Sequence, residues 1–150
     1  MGEVIRDGRY RASFPEGTVV FLIGMRINRL RDVRNWWPVF MAMPKMLQEL
    51  GGKPELGLLG TRTAMGGRTI TVVQYWTSMD ALMGYARAAE SEHVPAWKAF
   101  NQRARKAGAS VGIWHEAYTV SEATSHTVYM GMPEFGMAKA LESVQLPGGI

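Results

Sequence analysis

The chain has 150 residues, 47% hydrophobic and 20% charged, which suits one folded domain and excludes a disordered chain. It has no cysteine, so disulfides, thiolate metal sites, cysteine nucleophiles and thiolate-ligated haem are excluded together. Seventeen Lys and Arg against thirteen Asp and Glu give +4, with arginines crowded into Arg6 to Arg11 and Arg26 to Arg34. That clustering reads as a solvated basic face, because no helix-turn-helix, RNP, KH or zinc pattern accompanies it.

Residues 1–17 mix Gly, Pro and charge, end in Phe14-Pro15-Glu16-Gly17, and read as an N-terminal arm. They lack the apolar core of a secretory signal, and Arg6 breaks a myristoylation pattern, so an unprocessed, cytoplasmic chain is expected. Thr18 to Met25 is a β-branched and aromatic run, too short for a helix and suited to a buried strand. It is also far short of the ~18 residues of a membrane span.

From Arg31 to Leu50 the apolar residues Val33, Trp36, Trp37, Phe40, Met43, Leu47 and Leu50 form a helical stripe, stopped by Gly51-Gly52. Pro38 and Pro44 predict a break near Trp37, with Pro38 opening a second piece. Two strands, Leu56 to Met65 and Arg68 to Trp76, flank a Gly66-Gly67 turn. Alternation puts Ile70, Val72, Gln74 and Trp76 on one face and Thr71, Val73 and Tyr75 on the other, so both faces should be covered.

Thr77-Ser78-Met79-Asp80 reads as a helix start of the T-x-x-D kind, ahead of a helix ending near Glu90. Pro95 opens another, with Trp97, Phe100 and Ala104 at helical spacing until Gly108. His93 therefore falls at a junction of two helices. Ser110 to Val120 is a strand, His126 to Met130 a fifth, and residues 136–150 a loose tail. The order is β-α-β-β-α-β, a ferredoxin-like split βαβ of the α+β class with an antiparallel sheet over residues 18–135.

A histidine at a helix junction beside aromatics suits a general base, a haem ligand, a substrate hydrogen-bonder or a plain cap. His115, among apolar neighbours on its strand, is more simply a core histidine, and Glu116 points to the opposite face, so the two do not form a dyad. Trp36, Trp37, Trp76, Trp97 and Trp114 with Tyr75, Tyr85 and Tyr118 supply an aromatic pocket or ordinary core. Walker A, G-x-G-x-x-G, H-E-x-x-H, EF-hand and G-x-S-x-G patterns are missing, and three histidines without clustered carboxylates argue against zinc.

Tyr75-Trp76-Thr77-Ser78-Met79-Asp80-Ala81-Leu82, followed by Ser91-Glu92-His93-Val94-Pro95-Ala96-Trp97, resembles the strand, helix and S-x-H segment of antibiotic-biosynthesis-type monooxygenase domains. With Val20 to Asn28, the Trp-rich first helix and Gly112-Ile113-Trp114-His115-Glu116, the chain more closely resembles a bacterial family (DUF4188) grouped with a fungal monooxygenase-like domain. The resemblance implies a dimeric α/β barrel, a homodimer with one pocket per subunit between sheet and helices. It also implies a monooxygenase-like enzyme acting on a hydrophobic small molecule without a cofactor, His93 serving as base or proton shuttle and Trp76, Asn28 and Tyr85 positioning the substrate. Relatives that degrade haem or dehydrate aldoximes hold iron through a histidine near the S-x-H position. They imply instead a haem protein with His93 as axial ligand, His115 as second candidate and Trp76 against the porphyrin. A non-catalytic small-ligand module is the third reading.

Overall fold

A computed structural model describes residues 2–51, 54–89 and 95–148. The elements are β1 Arg9–Ser13, β2 Thr18–Ile27, α1 Val33–Gly51, β3 Leu58–Gly66, β4 Thr69–Trp76 and α2 Met79–Ala89. They continue as α3 Pro95–Ala107, β5 Val111–Val120, β6 Tyr129–Met130, α4 Gly136–Ala140 and β7 Glu142–Gln145. β3-β4-β2-β5 make an antiparallel sheet, and β2-α1-β3-β4-α2-α3-β5 reproduces the expected split βαβ order.

The central strands have apolar residues on both faces, and both faces are covered. On one side Val19, Phe21, Ile23, Met25, Ile70, Val72 and Trp76 meet Val39, Met43 and Met46 of α1, Leu82 and Tyr85 of α2, and Phe100 of α3. On the other, Val73 and Tyr75 meet Tyr10, Ala12 and Phe14 of the N-terminal segment and Met137 and Ala138 of α4. Burying a side chain of the Val, Leu or Phe kind contributes about 1.5–3 kcal/mol, so each face is a core in its own right.

Three local expectations are revised. First, α1 runs through both prolines as one helix. Pro44 is exposed, as is Arg34, whose carbonyl Pro38 leaves without its usual donor, so water can replace the lost bonds. The hairpin turn sits one residue later, with Gly66 paired to Thr69 and Gly67 at φ 59°, a left-handed value that glycine tolerates best. At α2 the cap is Ser78, whose Oγ accepts from the Ala81 N–H at 3.0 Å, not Thr77.

The largest revision concerns the ends. Residues expected to form an arm and a loose tail build a second sheet, β6-β1-β7, in which Tyr10 pairs with both Tyr129 and Gln145. The expected fifth strand shrinks to β6 and joins this sheet. Tyr10 is fully buried, stacks on Tyr129 at 5.0 Å and donates from its hydroxyl to the Pro133 carbonyl at 2.6 Å. The isolated motif Arg9-Tyr10-Arg11-Ala12-Ser13 is too short and too charged to announce a strand without those remote partners.

Candidate functional site

The helix-facing side of β4 carries one polar residue in an apolar row: Gln74, between Val72 and Trp76. Gln74 is 1% exposed and Trp76 is fully buried. The indole N–H of Trp76 donates to Gln74 Oε1 at 3.0 Å. An indole nitrogen only donates, so this bond fixes which end of the amide is oxygen and directs the NH2 elsewhere. There Gln74 Nε2 is buried with no hydrogen-bond partner among the described residues.

Tyr85 of α2 lies against Trp76, ring centroids 5.4 Å apart. Burial pushes its phenol far above the ordinary range, and the Glu49 carboxylate on α1 pushes it the same way. Tyr85 therefore stays protonated at any physiological pH and is unsuited to act as a base. Glu49 supplies a carboxylate on the same side of the sheet. β4, α2 and α1 thus bring together two neutral donors, a carboxylate and an aromatic wall.

The other sequence candidates are placed differently. Asn28 follows β2 at the end opposite Trp76: Val19 pairs with Trp76, and nine further residues of strand correspond to roughly 30 Å. Its Oδ1 accepts from Arg26 at 2.7 Å, its Nδ2 donates to the Ala109 carbonyl at 3.2 Å, and its backbone N–H donates to the Ser110 carbonyl at 2.9 Å. Asn28 is a staple between the end of β2 and the turn preceding β5. His93 belongs to the connection between α2 and α3 and lies outside the described residues.

His115 pairs with Ile23 on β5, an outer strand of the sheet, with its ring 5.9 Å from Phe21. It is exposed, not the core histidine that its neighbours suggested. From Gln74 it is two strands across and two residues along, roughly 12 Å. An axial ligand needs an apolar slot on its open side. His115 stands exposed on an outer strand, and the described residues do not wrap it in such a slot, so His115 as placed does not fit a haem ligand. Among the described residues no group of three or more His, Asp or Glu is placed to hold a metal ion.

Sequence reading missed Gln74 and Glu49. A signal for Gln74 was visible in the pattern, since it interrupts the apolar face Ile70, Val72, Trp76; Glu49 gave none, because one carboxylate on an amphipathic helix is the ordinary case.

Two solved structures show the same fold. Aldoxime dehydratase OxdRE, crystallised with butyraldoxime, matches 97% of this chain at 18% identity and a TM-score of 0.67; the match covers 45% of the dehydratase. A dimeric ferredoxin-like protein from an uncultured marine organism matches 75% of this chain and 95% of its own at 11% identity and a TM-score of 0.50. SnoaB, a cofactor-independent oxygenase from Streptomyces nogalater, matches 73% of this chain and 99% of its own at 12% identity, with a TM-score of 0.49. No curated protein matches the chain. No described helix is long and apolar enough to cross a membrane. The sequence pattern of Monooxygenase af470-like proteins matches residues 18–137, across both central strands, α1 to α3 and β5, and the chain belongs to that family.

Proposed function

We propose that this chain is a monooxygenase-like enzyme that binds a hydrophobic small molecule against the helix-facing side of the sheet and oxidises it without a bound cofactor. The observation that carries this reading is Gln74: a wholly buried amide whose NH2 is held in place and left without an acceptor among the described residues. Such a donor costs about 1–3 kcal/mol in the folded state, a cost relieved by an incoming oxygen atom. An oxygen that gains negative charge during reaction is stabilised further, because a preorganised donor in a dry site needs no rearrangement.

In this reading His93 takes a proton from a CH2 of an electron-rich substrate. The carbanion gives one electron to O2, and the two radicals join as a peroxide that takes up the proton. Loss of water from it leaves a carbonyl, while Gln74 binds the substrate oxygen on which charge accumulates. Trp76 holds the amide, and Tyr85, always protonated, closes the aromatic wall against Trp76. Asn28 is left out of the reaction, because its polar groups are engaged at the other end of the sheet. Family membership supports the reaction class, and the apolar surroundings of Gln74 support a hydrophobic substrate.

The test is oxygen uptake by the purified protein with a panel of electron-rich polycyclic phenols, in chelator and with no added cofactor. His93→Ala is expected to lower the rate on the best substrate by roughly 10²–10⁴-fold, the usual contribution of a general base. An undiminished rate in His93→Ala would remove the proposed base. A shifted Soret band on adding haemin, lost in His93→Ala or His115→Ala, would replace this reading with a haem one.

We also propose that the protein is a homodimer whose subunits meet through the part of the outer sheet face left open by β1 and α4, around Thr71, Trp114 and Glu116. Support comes from the partial exposure of Trp114 and the exposure of Glu116 on a face whose other half is core.

A further inference from the structure

β4 has a second side. Behind Gln74 and Trp76, Tyr75 faces a cleft of about 340 Å³ between β3 and α4, lined by Leu59, Arg62, Tyr75, Glu134, Phe135 and Lys139 among others. Its size is at the small end of ligand-binding clefts. Arg62 is its chemical centre. The Arg62 guanidinium lies 4.5 Å over the Phe135 ring, and its Nε is buried with no hydrogen-bond partner among the described residues. Among the described residues no carboxylate lies within ion-pair distance of it.

The backbone around the cleft is pared down. A Cβ on Gly136 would lie 3.2 Å from the Tyr129 hydroxyl and 3.3 Å from the Tyr75 hydroxyl, so both phenols close on a residue without a side chain. Gly60 brings α4 equally near, since a Cβ there would meet Ala140 Cβ at 2.6 Å. Burial, partly offset by Arg62, raises the Tyr75 phenol, which therefore remains a hydroxyl donor. Inside, the Arg62 guanidinium and the Tyr75 hydroxyl bond to each other between apolar walls, and Arg62 Nε is the donor left over among the described residues. At the mouth Lys139, Glu134 and Glu3 are all exposed, and with Arg62 inside the two cations balance the two carboxylates at longer range.

We propose that this cleft is a second ligand site, separate from the Gln74 side of the sheet, that takes a small monocarboxylate with an apolar body. The carboxylate would accept from Arg62 Nε and the Tyr75 hydroxyl, and the body would lie against Leu59 and Phe135. A planar guanidinium suits a carboxylate, and a half-buried one with no carboxylate partner among the described residues favours a single compact anion. A doubly charged phosphate is disfavoured by Glu134 and Glu3 at the entrance.

The probe is phenylacetate, titrated into the full chain by calorimetry and followed at the Arg62 Nε–H resonance, with 2-phenylethanol and inorganic phosphate as comparisons. Saturable binding of phenylacetate that moves that resonance, with neither comparison binding alike, is the expected result. Arg62→Met should weaken it by roughly 10- to 100-fold, the value of a charge-assisted bond, and Glu134→Gln should strengthen it. The proposal is overturned if phenylacetate gives no saturable binding up to about 10 mM, which corresponds to under about 3 kcal/mol. It is equally overturned if 2-phenylethanol or phosphate binds as well, if the resonance does not move, or if a folded Arg62→Met binds phenylacetate unchanged.

Discussion

Replacing Gln74 by Met tests whether its amide is kept for a ligand or for the fold. Methionine is close to glutamine in length and volume, so packing around position 74 should change by less than about 1.5 kcal/mol. Two polar effects then oppose each other. The substitution removes the buried, unanswered NH2 and recovers about 1–3 kcal/mol, while the Trp76 indole N–H loses its acceptor and costs a similar amount. The expected net change is therefore within about 1 kcal/mol, a shift of roughly 2–4 °C in Tm for a chain of this size. Activity should behave quite differently, falling by roughly 10²-fold or more if the amide stabilises developing charge. Urea denaturation and oxygen uptake on the same preparation read the two quantities side by side. A loss of more than about 3 kcal/mol of stability would refute the reasoning, because it would mean that the amide is a fully satisfied structural hub. Unchanged activity in a stable variant would refute the functional half alone.

Two further outcomes follow from the sheet and from the N-terminal strand. If subunits pair around Trp114, Trp114→Glu places a charge in that contact and should shift the molar mass by light scattering from dimer to monomer, and a monomeric wild type would disprove the pairing. Glu122 accepts from the Phe14 N–H at 3.0 Å and from Arg11 at 3.1 Å, and the Phe14 bond is the main reason its carboxyl lies below the ordinary range. A depressed folded value means stability that is present above the unfolded glutamate pKa and lost as pH falls through the folded one. Hydrogen exchange at the Phe14 amide should therefore accelerate through that acidic window and become pH-insensitive there, beyond intrinsic chemistry, in Glu122→Gln.

Much of the fold was legible because short-range physics wrote it. Alternation on β4, the helical stripes and the proline at the start of α3 each depend on neighbours a few residues apart. The misplacements have a common origin in contacts the local sequence does not contain. Pro38 and Pro44 predict a break only if their lost bonds face the core, and the exposure of Arg34 and Pro44 was not visible in the sequence. Arg9 to Ser13 becomes a strand only because Tyr129 and Gln145 are there to pair with Tyr10. The site divided in the same way. Trp76 and Tyr85, placed by the two strongest patterns, do meet, whereas Asn28 and His115 lie elsewhere on the sheet. Arg62 was passed over altogether, since its isolation depends on which carboxylates fail to reach it.

The pairing of β1 with β7 has a consequence for how the molecule is made. The Gln145 side chain bonds to the Arg9 carbonyl across a separation of 136 positions, so β1, which precedes the inner sheet in the chain, is completed by residues that follow it. The inner sheet closes a loop nearly as long, Thr18 pairing with Val120, so loop entropy separates the two by less than about 0.5 kcal/mol and the order of synthesis is what differs. During translation the helix-covered half can assemble while the opposite face, with β1 already made, still waits for β6, α4 and β7. For that interval Val73 and Tyr75 form an unshielded apolar surface, and a ribosome that stalls short of α4 would leave a nascent chain inviting chaperones.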